Sequence, residues 1–297
     1  MKIRSMIVVG LYLILLGLQP CHAGQTITAA VDEDIITDYQ LFVGERDPLA
    51  ITHFRGPGAR RDVIEIVLLQ QALHLGGFTR KLVLRPENSY LRILRLIQDG
   101  QVALSGALVW KTDLKGYEDS LLISPALIHE GEFIAGLYTH SSNKKALNAK
   151  TLAALRQLSA ASNNHWKSDI ATLHELGIKR IHYATYWLQI VRMVVARRAD
   201  VTLAPFQSNP DMKVLVGDLE LVPIQGIKVS LPGSRHWPIS KKHPESAAID
   251  AALKRGIAVL EANKTIQRAY EESGFFHPGV KEWTLINPPS SVNSLVE

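Results

Sequence analysis

Between residues 89 and 140 the hydrophobic pattern changes period repeatedly, and this limits the folds open to the chain. Leu91, Ile93, Leu94, Leu96 and Ile97 follow helical spacing, and Asp99-Gly100 stops that helix. Residues 102–110 are apolar and strand-forming, and they end at Trp110 against a polar lip, Lys111-Thr112-Asp113. Two further apolar runs follow, at 121–125 and 133–138. Upstream, a strand is expected at 25–31, a mixed acidic stretch to Gln40, and a loop over 41–58 with its glycines and prolines. A helix follows at 60–75, with Val63, Ile64, Val67, Leu68 and Ala72 on one face and Gly76-Gly77 at its end. A strand at 81–84 comes next, and Asn88 or Ser89 can cap the helix after it. The first third therefore reads β, α, β, α, β, which requires a sheet with parallel strands flanked by helices. Open sheets of this kind place ligands beyond the C-terminal ends of their strands, which directs attention to the lip after Trp110.

After Tyr138 the alternation restarts. Helices are predicted at 147–158, 166–176 and 186–198, with strands at 179–184, 201–206 and 219–224. This is a second α/β unit of roughly a hundred residues, a normal size for a compact lobe. An extended segment at 226–240 turns at Pro232-Gly233 and leads into a long helical region at 244–273. Ile249, Ala252, Leu253 and Ile257 give that region its apolar stripe, and Gly256 is expected to break it into two helices. The tail at 282–297 is expected to be poorly ordered at its end.

The 297 residues suffice for one large domain or two lobes. Lys2 and Arg4, the apolar run 6–18 and the small residues up to Ala23 predict a cleaved secretory signal peptide over 1–23 and a periplasmic protein. Cys21 is the only cysteine and leaves with that segment, so no disulfide or thiolate ligand is expected afterwards. Losing Lys2 and Arg4 reduces the 33 basic residues to 31 against 28 acidic ones, a net charge of about +3. That is too mild for a nucleic-acid partner. No second stretch has transmembrane length.

Four segments carry a resemblance. The run 90–100 (YLRILRLIQDG) is a helix closing before an inner strand, and 121–127 (LLISPAL) is similar to a serine-proline crossover between lobes. The run 196–201 (ARRADV) is similar to a strand start in a second lobe, and 239–244 (ISKKHP) to a return crossover. In this order and spacing the chain resembles the periplasmic solute-binding proteins of the type II, bilobed class, the family 3 binders used by polar amino acid importers. The resemblance implies an α/β Venus-flytrap with two crossover segments, lobe 1 at 24–130 plus 238–297 and lobe 2 at 131–237. It also implies a monomer without cofactor that holds a small polar or anionic solute in its cleft and meets an ABC-importer permease or a membrane sensor. The amino-acid positions of the family are altered. The lip has no arginine, Pro205 stands where a second-lobe aspartate is expected, and Ala103 where another aspartate is expected.

The candidate ligand-binding residues are Trp110, Lys111, Thr112, Lys115, Asn164, Tyr186 and Arg235. Trp110 can stack on a ligand or serve as a core tryptophan at a strand end. Lys111 offers a point charge, Thr112 a neutral donor, and Lys115 a substitute for the missing arginine without its bidentate fork. Asn164 precedes a helix N-terminus, where amides favour anions, though it can equally act as a plain cap. Tyr183, Tyr186 and Trp187 lie at a strand-to-helix junction, and Arg235 lies in the return crossover. Enzyme motifs are incomplete. His129-Glu130 has Phe133 where a zinc protease needs histidine, and Ser141-x-x-Lys144 lacks its usual partner motifs. Two other classes remain open. One is an enzyme on the same fold, dehydratase- or hydrolase-like, using Asp113, Glu118 or Asp119. The other is a partner-binding protein whose cleft takes no ligand.

Overall fold

The structure, a computed structural model, describes residues 26–288. The expected signal peptide over 1–23 and the end of the expected tail lie outside the described residues. In chain order the first elements are β1 (Thr26–Asp32), α1 (Glu33–Val43), α2 (Arg61–Leu75), β2 (Lys81–Glu87), α3 (Tyr90–Gln98), β3 (Leu104–Ser105), β4 (Val109–Trp110) and β5 (Leu121–Ile123). A second group follows: β6 (Ile134–Thr139), α4 (Lys144–Leu147), α5 (Leu152–Leu155), β7 (Ser159–Ser162), α6 (Lys167–Glu175), β8 (Arg180–Tyr183), α7 (Trp187–Val195), β9 (Thr202–Pro205), β10 (Val214–Val216), β11 (Leu219–Pro223) and β12 (Ile227–Ser230). The chain ends with β13 (Arg235–His236), β14 (Pro238–Ser240), α8 (Ser246–Ala262), α9 (Thr265–Glu272) and β15 (Thr284–Leu285).

One sheet has the order β2-β1-β3-β14-β5, parallel through β1 and antiparallel at β14. The second has the order β10-β11-β6-β12-β15, with β9 also on β6, and the parallel pair β7–β8 joins it through a bridge from Ala160 to Val201. The chain crosses between the sheets twice, and the two crossings hydrogen-bond to each other. Arg235 N–H donates to Ile128 (2.9 Å), Leu127 N–H to Arg235 (3.1 Å), Ser124 N–H to Trp237 (3.1 Å), and Trp237 N–H to Ser124 Oγ (2.9 Å). The buried Trp237 indole donates to Gly106 at 3.2 Å. A hinge built this way depends on backbone pairing and resists slippage.

Several local expectations need correction. The single strand expected over 102–110 breaks into β3 and β4, which belong to different sheets. A Cβ at Gly106 would lie 2.2 Å from Val31 Cγ2, so the chain passes tight against β1 there before β4 leaves to pair with β13. The acidic stretch after β1 is helical as α1, because Glu33 and Asp34 favour a helix N-terminus. The helix expected over 147–158 is two short ones, since Thr151 accepts from Ala154 N–H and starts a new turn. Near the end of the described chain β15 pairs with β12 of the second sheet.

Gly256 does not break α8, and the interruption falls at Lys264, whose φ is 59°. Gly256 has a different role. A Cβ there would lie 1.8 Å from the Ala72 carbonyl oxygen, and a Cβ on Gly76 would lie 2.0 Å from the Ala252 carbonyl oxygen. The two glycines let α2 and α8 touch backbone to backbone. Gly256→Ala must push them apart and is expected to cost at least about 2 kcal/mol in urea denaturation. An unchanged midpoint and slope would show that the helices do not pack this closely.

Candidate functional site

The first sheet's strand ends, the first turn of α2 and the return crossover meet the second lobe along one seam. Glu65 is a charged residue on the apolar face of α2 and is fully buried. It pairs with Arg61 one turn earlier and accepts Leu108 N–H at 2.8 Å. The Leu108 carbonyl accepts from the Arg235 guanidinium, so the backbone between β3 and β4 is held from both sides. Arg235 lies 4.9 Å over the Trp110 ring and 5.5 Å from that of Phe133, and Trp110 and Phe133 are 4.8 Å apart. Arg61 also faces Phe133, at 5.6 Å. Phe133 continues into Phe275 (5.0 Å) and then Tyr270 (5.1 Å). The result is an aromatic floor with two buried guanidiniums on it.

The acidic side of the seam begins at the 3-10 turn Lys111–Leu114. Asp113 is buried there, and its Oδ2 accepts from Tyr90 O–H at 2.7 Å. From the second lobe, Lys167 extends across to the Thr112 carbonyl (3.5 Å) and to Asp113 Oδ1 (4.0 Å). Ser168 Oγ donates to Pro232 at 2.9 Å. Asp169 follows in the first turn of α6, where the helix dipole favours its charge. Burial nonetheless pushes its carboxyl up to about 7; Arg235 and Arg61 oppose that shift and Asp113 adds to it. Burial likewise raises Asp113. A separate carboxyl, Asp32 at the end of β1, is pushed up to about 7 by burial and by Asp34 and Asp62, against Arg60. Arg60 in turn holds Asp62 (2.7 Å), Asp34 (2.8 Å) and Asp38 (3.0 Å).

Among the described residues, Asp113 Oδ1, Arg61 Nε, Arg235 Nε and the Tyr270 hydroxyl are buried without a hydrogen-bond partner. Buried polar atoms are normally paired, because leaving one unpaired costs about 1–3 kcal/mol. Unpaired groups of both signs therefore gather at one seam.

The structure brings together Trp110 and Arg235 from the sequence-predicted residues, both buried. Lys111 and Thr112 are exposed on the lip; Lys111 N–H donates to Ser234 and the Thr112 carbonyl accepts from Lys167. Lys115 is exposed beyond the lip and Asn164 before α6, and neither side chain hydrogen-bonds within the described residues. No side chain caps α6; the turn before it is held by Asn163, which accepts His165 N–H and donates to the Thr185 carbonyl, both at 2.8 Å. Tyr186 is 45% exposed at the start of α7, apart from the aromatic floor. Sequence reasoning missed Arg61, Glu65 and Asp169 altogether and considered Asp113 only as an acid for catalysis. One signal was available, since Glu65 is the one charge in the apolar run 63–69 and stands four residues after Arg61.

Two sheets, two mutually bonded crossings and a polar seam between the lobes define the two-lobed α/β Venus-flytrap fold of type II solute-binding proteins. Solved structures share it. An amino acid ABC transporter substrate-binding protein from Streptococcus pneumoniae, bound to L-arginine, is 16% identical over 71% of this chain and 82% of its own, with TM-score 0.52. The BvgS periplasmic VFT2 domain of Bordetella pertussis is 13% identical over 83% and 93%, with TM-score 0.56. An ancestral amino acid-binding protein described as a precursor of cyclohexadienyl dehydratase is 17% identical over 84% and 96%, with TM-score 0.50. No protein-family model and no curated protein sequence matches the chain. No helix of the described residues is long and apolar enough to cross a membrane.

The raised carboxyls set a pH dependence. Asp169 and Asp32 bind protons more tightly in the fold than at their ordinary value of 3.8, so unfolding releases protons between about pH 4 and 7 and stability falls as pH rises through that window. Burial lowers His236, His243 and His277, which pulls the other way, so the comparison must be with a variant. The Tm of Asp169→Asn relative to the parent is expected to rise from pH 5 to pH 8. A difference that stays constant with pH would contradict the burial of this carboxyl.

Proposed function

We propose that this chain is a periplasmic, non-enzymatic solute-binding protein. It closes two lobes on a small polar or anionic solute and presents the closed form to an ABC-importer permease or a membrane sensor. The observation that carries the reading is the seam itself, where Asp113 Oδ1, Arg61 Nε and Arg235 Nε are buried and unpaired between the lobes. On this reading lobe 1 is 24–130 plus 238–297, and lobe 2 is 131–237. Trp110 and Arg235 form the floor, and Lys111 and Thr112 the lip. Lys115, Asn164 and Tyr186 stand further out, as candidate contacts at the mouth. Closure follows from differential affinity, because a solute that binds only between apposed lobes shifts the equilibrium toward them. The arginine-bound streptococcal ABC transporter protein supports the importer branch.

A second reading is favoured by one observation. Asp169 is held at about 7 with Asp113 beside it, and a carboxyl near neutrality is suited to general acid or base work. The fold also serves the dehydratase precursor named above. Product formation from a bound solute, lost in Asp169→Asn, would move the assignment to an enzyme.

The test is thermal unfolding across amino acids, organic acids, amines, sugars and small peptides. A solute at about 100 times its Kd adds about 2.7 kcal/mol to the native state, or roughly 5–10 °C for a chain of this size. Arg235→Leu is expected to abolish the shift. A flat response to every class would overturn solute capture in favour of protein-partner binding.

A further inference from the structure

The charges along the seam are unevenly secured. Arg61 is matched by buried Glu65, and Arg235 is the cation that most offsets Asp169. Asp113 is left with Lys167 as its nearest cation, and that contact is loose. The Asp113 side chain is 2% exposed and the Lys167 side chain 60% exposed, and their charged atoms are 4.0 Å apart, beyond hydrogen-bond distance. Oδ2 is satisfied by Tyr90, whereas Oδ1 is buried and unpaired. An exposed, strongly hydrated lysine head thus stands near a buried carboxylate oxygen without bonding to it. Asp169 lies two residues after Lys167, in the same first turn of α6.

Resting on the solute-binding reading, we infer that the solute presents a cationic nitrogen, an alkylammonium or a guanidinium, to Asp113 Oδ1, displacing the Lys167 ammonium. Lys167 already reaches from the second lobe to the Thr112 carbonyl and toward Asp113, so a cation spanning the lobes is accommodated there. A solute nitrogen bonded to Asp113 Oδ1 satisfies the unpaired oxygen and takes over the charge that Lys167 gives up. An anion at the same point would meet the Asp113 carboxylate, which Lys167 approaches without bonding to it. Asp113 is the only buried charge of the lip, which favours a cation there.

The experiment is calorimetric titration of the parent, Asp113→Asn and Lys167→Met with agmatine and 1,4-diaminobutane. Succinate and glutarate serve as anionic controls, and the Tm of each variant checks that it folds. Expected are binding of an amine by the parent, at least about a tenfold loss in Asp113→Asn, and equal or tighter binding in Lys167→Met, where the internal competitor is gone. Amine binding that ignores Asp113→Asn, or that disappears in a folded Lys167→Met, overturns the inference. Binding of the dicarboxylates alone also overturns it while leaving solute capture standing. No binding of either set refutes the cationic assignment, and solute capture is then judged by the wider screen.

Discussion

The pairing of the two crossover segments is the constraint on which the rest depends. Residues near 124–128 and 235–240 are far apart in sequence, and each supplies a strand to the first sheet. Their mutual hydrogen bonds fix where the second lobe begins and ends. His236 takes part through its protonation state. Burial lowers its pKa, so the ring is neutral near pH 7. Its Nδ1 lies 2.8 Å from the Ser124 carbonyl, which can only accept, so Nδ1 carries the proton and Nε2 accepts from Ser234 Oγ at 2.8 Å. One tautomer is thereby selected, and the crossing is held by side chains as well as backbone. Trp237 beneath it bonds to Gly106, which ties the hinge to the broken inner strand.

From that hinge the electrostatics of the seam follow. Arg235 points inward because β13 pairs with β4, and it then has an aromatic floor on one side and the Leu108 carbonyl on the other. Burying charge is costly unless each ion is paired and hydrogen-bonded. The chain meets this condition for Glu65, which has both a guanidinium and an amide, and leaves it incomplete at Asp113, Arg61 and Arg235. A site tuned only for stability would hold apolar side chains here. The incomplete pairing is the physical reason to read the seam as recognition surface.

Much of the architecture was legible in sequence because it rests on local patterns. The α2 stripe ending at Gly76 and the alternation that restarts after Tyr138 both depend on neighbours within one or two turns. So does the Ser89 cap, which accepts Arg92 N–H at 3.4 Å. What failed depends on partners distant in sequence. Gly106 is a break because Val31 is pressed against it, and Gly256 is a helix contact because Ala72 faces it. Of the site, Trp110 and Arg235 could be singled out from their places at a strand end and a crossover. The burial of Asp113 depends on Tyr90 closing over it, and the role of Asp169 on charges from three separate segments. No local period encodes such meetings.

The central claim is that two lobes close on a solute at this seam, and a distance between lobes tests it most directly. Leu41 and Leu215 are 60% and 64% exposed, one beside each sheet, and the chain beyond Cys21 has no cysteine to interfere. With spin labels on Leu41→Cys and Leu215→Cys, pulsed dipolar spectroscopy would read the separation with and without a solute that raises the Tm. The account predicts a distribution that shifts and narrows on binding, and that no longer shifts when Arg235 is replaced by leucine. One unchanged distance in the presence of bound solute would contradict it.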